Sequence, residues 1–201
     1  IPLIGILMVL SWGGGELTER YGRRRLAIAL AGSILVILSV LGQRQVQAWR
    51  DTETLFRRAL SVTEDNYLAH NNLGVILLEK GKVVESAAHF WEAMRINPRF
   101  HTARVNLGNA MITMGRIEEG IAHYREVLQK DPQNISALRN LADALMKQRQ
   151  PAEAVKTYRR LSVLAPDDPE VNNNLGVALF MSGRHQEGAA YVRRAIGLDP
   201  H

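Results

Sequence analysis

The sequence predicts an all-α chain: an α-solenoid of four helical hairpins plus a preceding half-repeat, attached to transmembrane helix segments. Three observations carry this. From Tyr67 onward, similar residue types recur every 34 residues. Each unit closes on a proline, at Pro98, Pro132, Pro166 and Pro200. Ahead of the repeats, residues 1–43 are apolar apart from one charged island, whereas the rest is mixed and charged. A repeat of 20–50 residues marks an array of stacked supersecondary units.

Within each unit one column reads Gly74, Gly108, Ala142, Gly176, preceded by Leu73, Leu107, Leu141, Leu175. A glycine there lets two helix backbones approach closely. Phe90, Tyr124, Tyr158 and Val192 form the facing column, and Gly81, Gly115 and Gly183 sit where the first helix must turn. In the third unit Arg149-Gln150-Pro151 replaces that glycine. Ala87, Ala122, Ala154 and Ala189 or Ala190 are the expected small residues that let the second helix nest into the first. The closing proline ends the second helix, because it lacks an N–H and clashes with the preceding turn. This pattern resembles the tetratricopeptide repeat (TPR), a helix-turn-helix unit that buries its apolar face by stacking on neighbours. The repeats are expected at 67–100, 101–134, 135–168 and 169–201.

The 201 residues carry a net charge of +5: four arginines against two glutamates in residues 1–43, and 21 basic against 18 acidic residues beyond. Such dilute, interspersed charge argues against a nucleic-acid partner. The absence of cysteine excludes disulfides and cysteine metal sites. Residues 1–15 read as part of a span, with Trp12 at its edge, and 16–25 as a short loop holding Arg20, Arg23, Arg24 and Arg25. Residues 26–42 are uncharged and contain ten Leu, Ile or Val. At about −0.3 to −0.6 kcal/mol each, these favour bilayer insertion by roughly 3–6 kcal/mol. At about 1.5 Å per residue they reach about 25 Å, and Gln43, Arg25 and Arg44 extend this to a membrane span. A signal peptide shows the same basic-then-apolar order, but no small-x-small site follows Leu41. The arginine loop places itself in the cytoplasm and the repeats on the exoplasmic or periplasmic side, although Arg44, Arg50, Arg57 and Arg58 flank the other end.

Residues 44–66 align, by a 34-residue shift, with the second helix of a repeat: Phe56 falls on Phe90 and Ala59 on Ala93. This half-repeat is expected to cover the open face of the unit at Tyr67, with Asp51 or Thr52 as its cap. The chain opens within an apolar run at Ile1 and stops one residue past Pro200, the pattern expected of a piece of a longer protein.

For function, the first candidates are Asn72, Asn106, Asn140 and Asn174, one residue before the leucine column. Four amides at one spacing form a ladder able to hydrogen-bond an extended peptide on the concave face. Asparagine at this place also supports helix packing, which is the rival reading. A similar ladder is found in the TPR region of cytosolic O-GlcNAc transferases. Asn71, Asn109, Arg139 and Asn173 are adjoining peptide-binding candidates. The carboxylate clamp of chaperone-binding TPRs needs Lys or Asn and Arg at the positions three before and one after the glycine. Here those pairs are Asn71/Val75, Val105/Asn109, Arg139/Asp143 and Asn173/Val177, so a chaperone-tail receptor is not expected. His89 and His123 share a column, but with no third ligand they read as exposed surface histidines rather than a metal pair. Asn134-Ile135-Ser136 is a glycosylation sequon at a repeat junction. No phosphate loop, nucleophile triad or metal spacing occurs, and no catalytic residue is assigned.

The order of parts is more specific. An Ile-Pro-Leu-Ile-Gly run, an arginine loop and a last span lead into Trp49-Arg50-Asp51-Thr52-Glu53-Thr54-Leu55-Phe56, then Asn66-Tyr67-Leu68-Ala69-His70-Asn71-Asn72-Leu73-Gly74. This resembles the C-terminal part of TPR-containing polytopic membrane glycosyltransferases, similar to the transmembrane-and-TPR protein O-mannosyltransferases in a bacterial form. The resemblance implies a parent in the bacterial inner membrane that uses a polyprenyl-phosphate sugar donor and modifies protein Ser or Thr. Catalytic carboxylates of that family lie in early exoplasmic loops, which these residues do not contain; no cofactor is expected in this chain. The alternative is a non-catalytic, membrane-anchored TPR scaffold for envelope proteins.

Overall fold

The computed structural model describes residues 32–38 and 52–199. The chain divides into two compact units, Ile1–Leu55 and Phe56–His201. In the first, residues 32–38 are helical, with Leu35, Val36 and Ile37 exposed. The expected spans at 1–15 and 26–42 and the loop at 16–25 otherwise lie outside the described residues. Among those described, no helix is long and apolar enough to cross a membrane.

The repeat array is helical throughout its described length. Helix α1 covers Thr52–Val62, and four hairpins follow: α2 (Tyr67–Glu79) with α3 (Val83–Ile96), α4 (His101–Thr113) with α5 (Ile117–Lys130), α6 (Ile135–Lys147) with α7 (Pro151–Leu164), and α8 (Pro169–Met181) with α9 (His185–Leu198). From α2 onward each helix packs on the next, and α2 touches α4 as α4 touches α6. First helices therefore crowd together along one side of the solenoid, and second helices occupy the other.

Local chemistry sets the boundaries. Asn66, Asn134 and Asp168 cap α2, α6 and α8, each side chain accepting from the N–H three residues on at 2.9–3.1 Å. Such caps contribute about 0.5–2 kcal/mol each. Helix α4 lacks one; instead the Phe100 ring before it meets Tyr67 edge-on at 5.0 Å. First helices end on left-handed Gly81, Gly115 and Gly183, with φ of 75°, 78° and 81°. Arg149 holds the same conformation at φ 58° without glycine's freedom. Second helices stop at Ile96, Lys130 and Leu164, two residues before a proline, because the residue preceding proline disfavours helical geometry.

The Leu-Gly column packs as its spacing implies. A Cβ added at Gly74 would lie 2.6 Å from the Phe90 ring, at Gly108 2.5 Å from Tyr124, and at Gly176 2.6 Å from Val192. Leu73, Leu77 and Phe90 are wholly buried, each contributing about 1.5–3 kcal/mol. The expected small column is corrected by the structure. Ala122 and Ala190 are exposed and Ala189 half-buried; the nested column is Ser86, Gly120, Ala154 and Gly188, at one 34-residue spacing. A Cβ on Gly120 would meet the Gly108 carbonyl at 2.9 Å, and one on Gly188 the Gly176 carbonyl at 2.9 Å. Side-chain size alone misplaced the register by one or two residues.

Two clusters of buried side chains stand out among the described residues. One runs from Val105 through α5, α6 and α7 to Leu179; the other joins Ala87 and Phe90 to Leu107 and Ala110 and is edged by Met94, Met111 and Met114. Helix α1 lies beside α3, joined by an Arg57–Glu85 ion pair at 2.6 Å. None of its residues is buried, so it covers the first hairpin less completely than the half-repeat alignment anticipates.

Candidate functional site

The first-helix side places most of the sequence candidates in short, separate polar clusters. Asn72 is exposed, while Asn106, Asn140 and Asn174 are half-buried. The amides bridge successive repeats: Asn106 donates to Asn71 Oδ1 at 2.9 Å, and Asn140 donates to Asn109 Oδ1 at 2.8 Å. Asn71 in turn donates to Asn72 at 3.3 Å, and Asn173 to Asn174 at 3.4 Å. Asn71 is buried, so it links repeats rather than facing a ligand. Arg139 is also engaged, donating to Asp168 at 2.6 Å and to Glu170 at 3.0 Å in the next unit. Burial pushes the Asp168 carboxyl up, but the Arg139 hydrogen bond and the Val171 N–H hold it below its ordinary value.

Two residues that sequence reasoning treated as core packing add hydroxyl donors to these polar groups. The Tyr124 hydroxyl donates to Asn109 Oδ1 at 2.6 Å, and the Tyr158 hydroxyl donates to Asp143. Both rings come from second helices and are buried. Burial, reinforced by the Asp143 carboxylate, pushes both phenols well above their usual range, so they remain donors. The detectable signal was a tyrosine 15 residues after a polar residue in two successive units, since a buried tyrosine hydroxyl needs a partner.

Between α4 and α6 these groups line a groove of about 180 Å³, formed by Asn109, Thr113, Tyr124, Asn140, Asp143 and Lys147 with Ile112 and Ala144. An amide has two N–H donors and one carbonyl acceptor. After the inter-repeat bond, Asn140 retains one N–H and its carbonyl oxygen, the complement of a peptide backbone unit. The arrangement suits binding and offers no nucleophile activated by a base.

The histidine expectation is corrected. His89 is half-buried, not exposed, and its Nδ1 lies 3.0 Å from His70 Nδ1 on the facing helix. His123 is half-buried too. Desolvation lowers the basicity of all three. No cluster of three or more His, Cys, Asp or Glu able to hold a metal exists among the described residues. The sequon asparagine, Asn134, is occupied at both ends of its amide: it caps α6 and donates to Asp131 at 3.0 Å.

Comparison with known proteins agrees with the repeat geometry. The human protein O-mannosyl-transferase TMTC4 is 31% identical over 90 residues, which is 45% of this chain and 12% of that protein. The chain thus spans about an eighth of the length of that curated relative. The crystal structure of MamA superposes with a TM-score of 0.68 at 14% identity, covering 79% of this chain and 93% of that one. That of YrrB, a TPR protein with an unusual peptide-binding site, superposes at 0.61 with 13% identity over 93% of this chain and 92% of its own. At these identities the structural likeness concerns the fold. A tetratricopeptide-repeat model matches residues 44–99 and 139–201, and a second TPR model matches 108–148. These matches cover more than half of the chain, which belongs to the tetratricopeptide-repeat family.

Proposed function

We propose that this TPR module binds an extended peptide along its first-helix side, held by the amides of Asn72, Asn106, Asn140 and Asn174. The observation that carries this reading is the pair of inter-repeat bonds in the middle of the row: those of Asn106 and Asn140 fix an amide rotamer while leaving other polar atoms uncommitted. Prefixed donors lower the ordering cost of binding. Backbone-directed amides recognise main chain more than sequence, so the ligand class is a flexible protein segment.

Within the parent, we place the module as the acceptor-binding tail of a membrane glycosyltransferase that draws sugar from a polyprenyl phosphate. The partial likeness to TMTC4 and the apolar run of residues 26–42 support this. The repeats would then lie outside the bacterial inner membrane, raising the local concentration of the acceptor near the active site.

The test is binding of unstructured Ser/Thr-containing peptides to the wild-type chain and to an Asn72→Ala/Asn106→Ala/Asn140→Ala/Asn174→Ala variant, with helicity checked by circular dichroism. We expect at least a tenfold loss of affinity with helicity retained. Unchanged affinity in a folded variant overturns the ladder.

A further inference from the structure

A second groove, of about 380 Å³, opens on the second-helix side between α5 and α7. Its floor is Leu128, Leu141 and Leu145, whose side chains are buried from bulk solvent. Leu141 and Leu145 lie on a different face of α6 from Asn140, Asp143 and Lys147, so this groove is separate from the amide row. Its volume lies within the range of about 300–1,000 Å³ typical of ligand pockets.

The groove coincides with a gap in a column. Position by position, the second helices carry His89, His123, Thr157 and Tyr191. The three rings are half-buried, with His89 beside His70 and Tyr191 packed against the core. Thr157 alone in that column lacks a ring, and it lines the groove. The rim is charged unequally, Arg125, Lys156 and Arg160 facing the single acid Glu153. Arg125 pairs with Glu153 at 3.1 Å, and Arg160 donates to the Pro132 carbonyl at 2.8 Å. Lys156 has no ion pair among the described residues. An apolar floor with room for a ring, beneath an excess of positive charge, defines its complement.

We propose that this groove docks an acidic peptide segment of a protein partner through one aromatic side chain. The ring lies on the leucine floor in the space left by Thr157, and flanking carboxylates face Lys156 and Arg160. This interaction does not rest on the amide-row reading. Desolvated aromatic anchors carry much of the energy of such interfaces, and charge-assisted hydrogen bonds strengthen the flanks.

The probe is a fluorescein-labelled peptide, Asp-Glu-Asp-Phe-Asp-Glu-Asp, followed by anisotropy. Matching peptides replace Phe by Ala, or the acids by Lys. Two chain variants separate floor from rim. Thr157→Tyr supplies the ring that the fourth repeat already accommodates at Tyr191, and Lys156→Glu/Arg160→Glu reverses two exposed charges without touching the core. We expect the parent peptide to bind, both altered peptides to bind at least tenfold more weakly, and both chain variants to lose at least tenfold. The fourfold asparagine variant should bind this probe unchanged. Absence of binding, equal binding of the alanine peptide, or undiminished affinity in the charge-reversed variant overturns the proposal.

Discussion

Ser86 illustrates how one atom records a compromise. It occupies the nested small column with Gly120, Ala154 and Gly188, is wholly buried, and its hydroxyl has no hydrogen-bond partner. A buried unsatisfied polar group costs about 1–3 kcal/mol. Ser86→Ala therefore raises the urea midpoint, by a stability gain of up to about 1 kcal/mol, without changing affinity for peptides. The His70–His89 contact makes a second prediction. One Nδ1 must donate and the other accept, so the pair holds together while at least one ring is neutral. Glu92 and Glu85 face the pair and Arg95 and Arg57 oppose protonation, but burial dominates and lowers both histidines below 6.5. With folded-state basicity depressed, the unfolded chain binds more protons. Stability is then complete above about pH 6.5 and falls as pH drops through the folded values. The melting midpoint should decline between pH 7.5 and 5, and His89→Phe should flatten that decline. Residue-scale features like these were poorly legible in the sequence. The 34-residue period assigns columns, but a contact such as His70 with His89 joins two different columns, and their distance depends on the hairpin angle.

At the scale of elements, the second helices are braced by a repeating ion pair. Arg57–Glu85, Arg125–Glu153 and Arg159–Glu187 lie at 2.6, 3.1 and 2.7 Å, each 28 residues apart. Between α3 and α5 the arginine is replaced by Trp91, 57% exposed, and Glu119 pairs with Arg116, the residue that precedes α5, at 2.5 Å. Exposed pairs contribute about 0.2–1 kcal/mol. Trp91→Arg should raise stability by at most about 0.5 kcal/mol, because the new arginine must draw Glu119 from Arg116. Chemical denaturation resolves such a gain, and loss of the gain in a Trp91→Arg/Glu119→Gln double variant would show that it comes from the brace. The hairpins themselves were legible, since glycine, proline and leucine columns act locally. Helix α1 was less so. Its alignment with α3 correctly suggested a second-helix pattern at Phe56 and Ala59, but alignment carries no measure of how deeply a terminal helix packs, and no α1 residue is buried.

For the repeat array as a whole, the junction that lacks the brace is closed by buried core instead. Phe90, Leu107 and Ala110 form one cluster with Ala87, and the larger cluster begins at Val105. Stability in repeat arrays is approximately a sum of unit and nearest-neighbour terms, so weak interfaces open first. Amide hydrogen exchange should therefore be faster in α2 and α3 than in α5, α6 and α7, with α6 the slowest. Equal protection across α2 to α7 would contradict unequal unit and interface terms. That junction is edged by Met94, Met111 and Met114, unbranched side chains that adapt to irregular gaps. It is also crossed by the Asn106-to-Asn71 hydrogen bond. The array is thus held unevenly, by ion-pair braces at its other junctions and by apolar packing with one amide bond at this joint. A peptide laid across Asn72 and Asn106 would act as a splint over that joint, so that occupancy of the row is felt as tension between the first hairpin and all that follows.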